Sequence, residues 1–210
     1  AARVPHIHCG IGTISQITPW LLACRASSVL LVTGSKSLKK MGKLKTVKTL
    51  ISDAGCTWEH ITCADEPSTD LVDQITHQLF GQGISVVISI GGGSVIDLGK
   101  ALAAMIPHGN SVLDHLEGVG KGLPHNGLTL PLLTIPTTSG TGGEVSKNAV
   151  LSQVGVNGYK KSLRHDNFIS NAVILDGDLL IEADPSVTAA CGMDAFTQLL
   201  EPYLSSAASP

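Results

Sequence analysis

The run Ile84-Ser85-Val86-Val87-Ile88-Ser89-Ile90 leads directly into Gly91-Gly92-Gly93-Ser94-Val95-Ile96-Asp97-Leu98-Gly99-Lys100, and this junction limits the folds open to the chain. A β-branched apolar run reads as a buried strand, and three glycines in succession read as a tight turn. Ser94 with Asp97 three residues later has the form of a capping box, so a helix is expected to begin there. Strand, glycine turn and helix N-terminus in that order make an anion site. Glycine lets the backbone approach closely, the first amides of a helix have no acceptor within it, and the helix dipole favours negative charge. Ile96 occupies the last glycine position of G-x-G-x-x-G, so the run alone indicates a phosphate cradle rather than a full dinucleotide fingerprint.

The rest of the chain repeats the alternation. Strands are expected at His6-Ile7-His8-Cys9 on an edge, then at 28–33, 56–63, 130–135, 149–153 and 172–176. Helical spacing covers 14–26, two short segments within 38–53, and 69–79, whose apolar face carries Leu71, Val72, Ile75 and Leu79. Near-continuous apolar strands separated by helices predict an α/β fold with an open parallel sheet covered on both faces. Ligands of such sheets bind at the carboxyl ends of the strands. Three ends carry unusual chemistry: Thr33-Gly34-Ser35, the Gly91–Ser94 turn, and Pro136-Thr137-Thr138-Ser139-Gly140-Thr141-Gly142-Gly143. One pocket built from all three is the expectation. The polar, glycine-rich stretch 107–130 reads as a surface excursion with one helical turn near 112–116.

After Pro185 the pattern changes. Val187, Ala190, Met193, Phe196, Leu199, Leu200 and Tyr203 recur at helical spacing as far as Ser206. Residues 1–183 thus read as a nucleotide-binding domain and 184–210 as the start of a helical one. The broad apolar face predicts self-association into a homo-oligomer.

Composition narrows the function classes. With 43% hydrophobic and 15% charged residues the chain can bury a sizeable core, and its net charge of −3 argues against nucleic acid or a membrane surface as partner. No apolar run reaches membrane-span length and the first residues lack a signal-peptide pattern. The five cysteines are odd in number and form no C-x-x-C pair, which suits reduced thiols in a cytoplasm. His6 and His8 share a strand face that can chelate metal, but a pair without a third ligand reads first as structural.

Three segments together resemble the iron-containing (metal-dependent, group III) alcohol dehydrogenase family: Gly91–Lys100, the stretch Pro136-Thr137-Thr138-Ser139-Gly140-Thr141-Gly142-Gly143-Glu144-Val145-Ser146, and Gly192-Met193-Asp194-Ala195-Phe196-Thr197-Gln198-Leu199-Leu200-Glu201. The resemblance implies a nicotinamide cofactor held by Gly92, Gly93, Ser94 and Asp97, by Thr137, Thr138 and Thr141, and by Asn148 and Lys160, with Lys161 as the neighbouring alternative. It implies a divalent metal, iron or zinc, held by one Asp and three His and acting as a Lewis acid in hydride transfer between NAD(P) and a small alcohol or aldehyde. Asp194 matches the Asp, but Gln198 stands where the first His is expected, and no histidine follows His165. A neutral amide is a poorer ligand than imidazole for such metals.

In the family that the chain resembles, many NAD-using members carry an Asp after the Val-Thr pair that Val32-Thr33 matches, where this chain has Gly34, followed by Ser35, Lys36, Ser37, Lys39 and Lys40. A carboxylate 4 Å from a 2′-phosphate costs up to about 4 kcal/mol per charge pair at an effective dielectric of 20. Its replacement by Gly34, with the hydroxyls of Ser35 and Ser37 and the lysines Lys36, Lys39 and Lys40 added, therefore tilts the expectation toward NADP over NAD. Two rival readings are a nucleotide-binding module that has lost its metal, and a sugar-phosphate cyclase of the dehydroquinate-synthase kind. The cyclase lysine motif is missing, since Ser139-Gly140-Thr141-Gly142-Gly143-Glu144 stands in its place.

Overall fold

The computed structural model describes residues 4–181 and 183–206, and among these it forms eight strands. They are β1 (His6–Cys9), β2 (Ser28–Gly34), β3 (Thr57–Cys63), β4 (Val86–Gly91), β5 (Leu132–Pro136), β6 (Asn148–Gln153), β7 (Tyr159–Arg164) and β8 (Ala172–Leu175). Six make one sheet in the order β1-β8-β5-β4-β2-β3, and every neighbouring pair is parallel. The helices are α1 (Ile17–Ala23), α2 (Ser37–Lys40), α3 (Lys43–Asp53), α4 (Thr69–Leu79), α5 (Gly93–Met105) and α6 (Pro185–Leu204).

The two faces of the sheet carry separate cores, and this explains the unbroken apolar strands. Along β2, Val29 and Leu31 pack with Ile17, Leu21, Val47 and Ile51 of α1 and α3. Leu30 and Val32 point the other way, into a core with Val72, Ile75 and Leu79 of α4 and Leu98 and Leu102 of α5. Successive strand side chains face opposite ways, so a strand buried on both sides must be apolar throughout. Helices α2 and α3 leave the end of β2 toward one face, while α5 leaves the end of β4 toward the other. Since β2 and β4 are neighbours, their carboxyl ends form the crevice in which open sheets take ligands.

Helix α5 approaches β4 through Gly99. A Cβ there would lie 1.6 Å from Ser89 Oγ and 2.9 Å from Ser89 Cβ. The close helix–strand packing usually supplied by the third fingerprint glycine thus falls at Gly99, which is why Ile96 can stand where it does. Ser89 Oγ is buried and has no hydrogen-bond partner in the structure.

Several expectations are corrected. The N-cap of helix α5 is Gly92, two residues before the expected Ser94; it is in extended conformation, the helix starts at Gly93, and no side-chain cap bond forms. Ser94 and Asp97 therefore make no capping box; glycine at the cap frees both side chains for the crevice. The stretch 107–130 is not a surface excursion throughout, because Val112 and Leu116 are fully buried. Asp73 of α4 pins it by accepting from Ser111 Oγ and from the Val112 N–H at 2.7 Å. The 149–153 strand lies outside the main sheet, where β6 pairs antiparallel with β7. Strand β7 escaped the sequence reading because Tyr159-Lys160-Lys161-Ser162-Leu163-Arg164 buries only Leu163. Strand β8 ends as expected at an acidic turn. Asp176 is buried there and accepts from the N–H groups of Gly12, Ile14 and Asp178 at 2.9–3.1 Å.

Helix α6 is long, as its spacing predicts, but contributes no buried residue. Leu199 is 75% exposed and Tyr203 81%. Among the described residues no helix is long and apolar enough to cross a membrane. All five cysteines are free thiols.

Gly99→Ala is expected to cost about 1–3 kcal/mol, as overpacking against a rigid strand does. Adding Ser89→Ala should recover part of that loss, because it removes the atom nearest the new methyl and leaves no donor or acceptor newly unpaired. Urea unfolding of the two single variants and the double variant measures both.

Candidate cofactor-binding cleft

The glycine turn is shaped by contacts that exclude side chains. A Cβ on Gly91 would lie 2.7 Å from Val95 Cβ, and one on Gly93 would lie 3.1 Å from the Thr141 methyl. The Thr137 N–H donates to Gly91 O at 3.0 Å and ties the end of β5 to the turn. Gly93 and Ser94, the first residues of α5, lie where the crevice opens, while the N–H groups of Val95 and Ile96 turn back to Gly92 O.

Two adjoining hollows make up the cleft. The larger, about 570 Å³, includes Gly93, Ser94 and Asp97 from α5, Thr141 and Gly143 from the loop after β5, Asn148 and Val150 from β6, and Lys160 from β7. Asp194 and Gln198 of α6 close it on another side. The smaller, about 340 Å³, runs along Gly34, Ser35, Lys36 and Ser37 on one wall and Cys63, Asp65 and Glu66 on another. The two share Glu66, Gly93 and Ser94, so the cleft continues across the glycine turn. Gly92 also lines the smaller hollow.

Most of the expected residues converge here, and the exceptions are informative. Thr138 lies 3.5 Å from the position of a Gly92 Cβ and faces a third hollow of about 180 Å³ with Ser139, Leu180, Val187 and Cys191. Thr137 is buried and supports the turn through its backbone. Strand alternation separates the two lysines of β7: Lys160 lines the cleft, whereas Lys161 Nζ lies 3.5 Å from a Cβ position on Gly118. Of Lys36, Lys39 and Lys40, Lys36 alone lines the cleft. Lys39 lines a separate groove with Lys45, Lys48 and Trp58.

The cleft's charges are coupled. Asp97 is pushed up to about 6, mainly by burial. The Val150 N–H, Lys100 and Lys160 oppose the shift, and Glu66 adds to it. Lys160 Nζ meets Glu66 at 2.6 Å and Ser152 Oγ donates to the same carboxylate at 2.5 Å, which holds Glu66 below the usual carboxylate range. Lys100 is 1% exposed and donates to Gly143 O, to Ser146 O at 2.5 Å, to Ser146 Oγ at 2.9 Å and to Asn148 O at 3.1 Å. Sequence reasoning left Lys100 and Glu66 without a role. Lys100 gave a signal, a lone charge inside the apolar helix Leu98-Gly99-Lys100-Ala101-Leu102; Glu66, beside Pro67 in a polar turn, gave none.

The sequence profile of the iron-containing alcohol dehydrogenases matches residues 5–177. The chain belongs to that family. Long-chain-alcohol dehydrogenase 1 of Geobacillus thermodenitrificans is 34% identical over 208 residues, covering 98% of this chain and 51% of its own length. Sulfoacetaldehyde reductase of Bilophila wadsworthia is 32% identical over 202 residues, covering 96% and 51%. Among solved structures, NADH-dependent butanol dehydrogenase A of Thermotoga maritima superposes with a TM-score of 0.88 at 25% identity, covering 97% of this chain and 50% of its own. Sulfoacetaldehyde reductase of Bifidobacterium kashiwanohense, in complex with NAD+, gives 0.87 at 27%, covering 100% and 55%. The chain spans about half the length of the curated relatives it matches.

The family name implies a metal, and the donors present do not make a centre for one. Among the described residues no three His, Cys, Asp or Glu side chains come together as a metal site. The cleft offers the Asp194 carboxylate and, one helical turn on, Gln198, whose Nε2 donates to Gly140 O at 3.3 Å. His6 and His8 lie far along the sheet on its edge strand, 3.1 Å apart at Nδ1 and Nε2.

The shift of Asp97 has a definite sign. Between its ordinary 3.8 and about 6 the folded chain keeps a proton that the unfolded chain releases, so this group's contribution to stability falls as pH rises through that window. Asp97→Asn stays neutral throughout while retaining an acceptor for the Val150 N–H. Its melting temperature relative to wild type should therefore climb from pH 4 to pH 7. A difference that stays level across that range would contradict the burial argument.

Proposed function

We propose that this chain supplies the cofactor-binding half of an oxidoreductase that moves a hydride between NAD(P) and a small alcohol or aldehyde. The observation that carries the reading is the continuous cleft at the ends of β2 and β4, onto which Gly92, Gly93, Ser94, Asp97, Thr141, Asn148 and Lys160 all open. The pyrophosphate lies on the first amides of α5, where the helix dipole favours an anion. Thr141 and Asn148 supply hydrogen bonds beside it, and the mainly apolar hollow behind Thr138 takes a flat ring such as adenine. Relatives that include an NADH-dependent dehydrogenase and a reductase crystallised with NAD+ support the class of cofactor.

Preference for NADP rests on the wall formed by Gly34, Ser35, Lys36 and Ser37. Asp65 on the opposite wall works against a 2′-phosphate, while Glu66 is already paired with Lys160. Asp194, with Gln198 one turn on, is this chain's contribution to a divalent metal site, iron or zinc. Two donors do not close a coordination sphere. We accordingly place residues 184–210 at the beginning of a helical domain. A cyclase reading gains nothing from the comparisons, which return alcohol dehydrogenases and related reductases.

Titration of the purified chain with NADPH and NADH, followed by nucleotide fluorescence, should show saturable binding of both, with NADPH the tighter. Lys36→Ala should narrow the difference. No alcohol-dependent NADP reduction is expected from the 210 residues alone, with iron or zinc added. Absence of binding by either nucleotide would overturn the reading, and turnover would overturn the assignment of catalysis to a longer protein.

A further inference from the structure

Lys100 is the largest charged group in the interior, and its surroundings are one-sided. Taking an ammonium out of water costs several kcal/mol unless its protons find good acceptors. None of the ion pairs among the described residues involves Lys100. Its acceptors are instead four oxygens of one segment: the carbonyls of Gly143, Ser146 and Asn148 and the hydroxyl of Ser146. A methionine would fill the same space at no electrostatic cost, so the charge has to be explained by what it holds.

What it holds is the loop that crosses the cleft. Asn148 is anchored in β6 opposite Arg164 of β7, but residues 141–147 ahead of it rest on short local bonds, such as the Gly143 N–H to Thr141 Oγ1 at 3.2 Å and the Val145 N–H to Gly142 O at 3.1 Å. Gly142 takes a positive φ of 62°, one short 3₁₀ turn spans Gly143–Val145, and the Ser146 N–H reaches Gly143 O only at 3.4 Å. Yet this segment presents Thr141, Gly143, Ser146 and Asn148 to the larger hollow. Lys100 reaches it from α5, the helix whose first turn forms the opposite wall.

We propose that Lys100 is a positioning residue for cofactor binding, its buried ammonium clamping the 143–148 carbonyls so that Thr141 and Asn148 stand against the glycine turn. The proposal rests on the dinucleotide reading of the cleft. Burial lowers the Lys100 pKa to about 8, with Asp97 on its own helix and Glu144 on the clamped loop opposing the shift. Beyond these, Glu66 and Lys160 face Asp97, and Lys147 is engaged with Asp166. Above about 8 the amine keeps two protons for four acceptors, and the clamp slackens. Asp97 titrates near 6, outside that window.

Two readouts test this, each on wild type, Lys100→Met and Lys100→Gln between pH 7 and 9. The first is amide-exchange protection, corrected for intrinsic exchange rates. Protection over 143–148 should fall about tenfold from wild type to Lys100→Met at pH 7, in keeping with loss of charged hydrogen bonds, while β2 and β4 stay unchanged. In wild type it should fall as pH rises through about 8; in Lys100→Met it should be low and level. The second is NADPH affinity, which should follow the same pattern, with Lys100→Gln intermediate in both. Should Lys100→Met fail to fold, Lys100→Gln and the wild-type pH series carry the comparison. Unchanged loop protection in a folded variant, or an affinity profile with the wild-type slope, would overturn the clamp. Absence of NADPH binding by wild type would overturn the function and the positioning role together, and the exchange data tell that outcome apart from failure of the clamp alone.

Discussion

The structure depends on the close approach of α5 to β4. Gly99 sits where any side chain would meet Ser89, so the helix lies directly on the strand that delivers the glycine turn. That contact sets the rotation of α5. With 3.6 residues per turn, Ser94 and Asp97 then share the side that faces the crevice, and Lys100, three residues further on, reaches the loop beyond it. One short-range packing constraint thereby aims the amides, the carboxylate and the ammonium in a single step.

The cleft's electrostatics follow from where its charges are satisfied. Lys160 lines the larger hollow with the glycine turn, but Glu66 takes much of its field. Lys100 is spent on loop carbonyls and Asp97 is driven toward its neutral form by burial. Attraction for an anionic ligand is left chiefly to the first amides of α5 and, along the smaller hollow, to Lys36. Such fixed dipoles suit the pyrophosphate proposed for this cleft, because they need no desolvation of a mobile side chain.

Helix α6 meets the rest of the chain in a narrow way. Gly140 allows it to come close, since a Cβ there would lie 2.8 Å from the Cys191 backbone, and Gln198 donates to the same glycine's carbonyl. These contacts bring Asp194 and Gln198 to the cleft while Met193, Phe196, Leu199 and Tyr203 stay exposed. The loop after β5 therefore links the two ends of the candidate site. It is held from below by Lys100 and touches α6 from above.

Fold class, the order of the parallel strands' helices and most cleft residues were legible in the residues themselves. Apolar periodicity marks elements buried on two faces, and a glycine turn after such a strand has few other uses. Family membership was legible for a related reason, because the three segments that carry it are those whose spacing the cleft requires. Tertiary structure decided what depends on partners distant in sequence. Strand β7 has too little buried surface to announce itself, and only its pairing with β6 puts Lys160 inside and Lys161 outside. Glycine at the N-cap released Ser94 and Asp97 from the capping box that their spacing suggested. Lys100 and Glu66 acquired roles only through oxygens and nitrogens more than forty residues away in the chain. Local patterns record which surface an element must bury; which polar group answers which is fixed only when those surfaces meet.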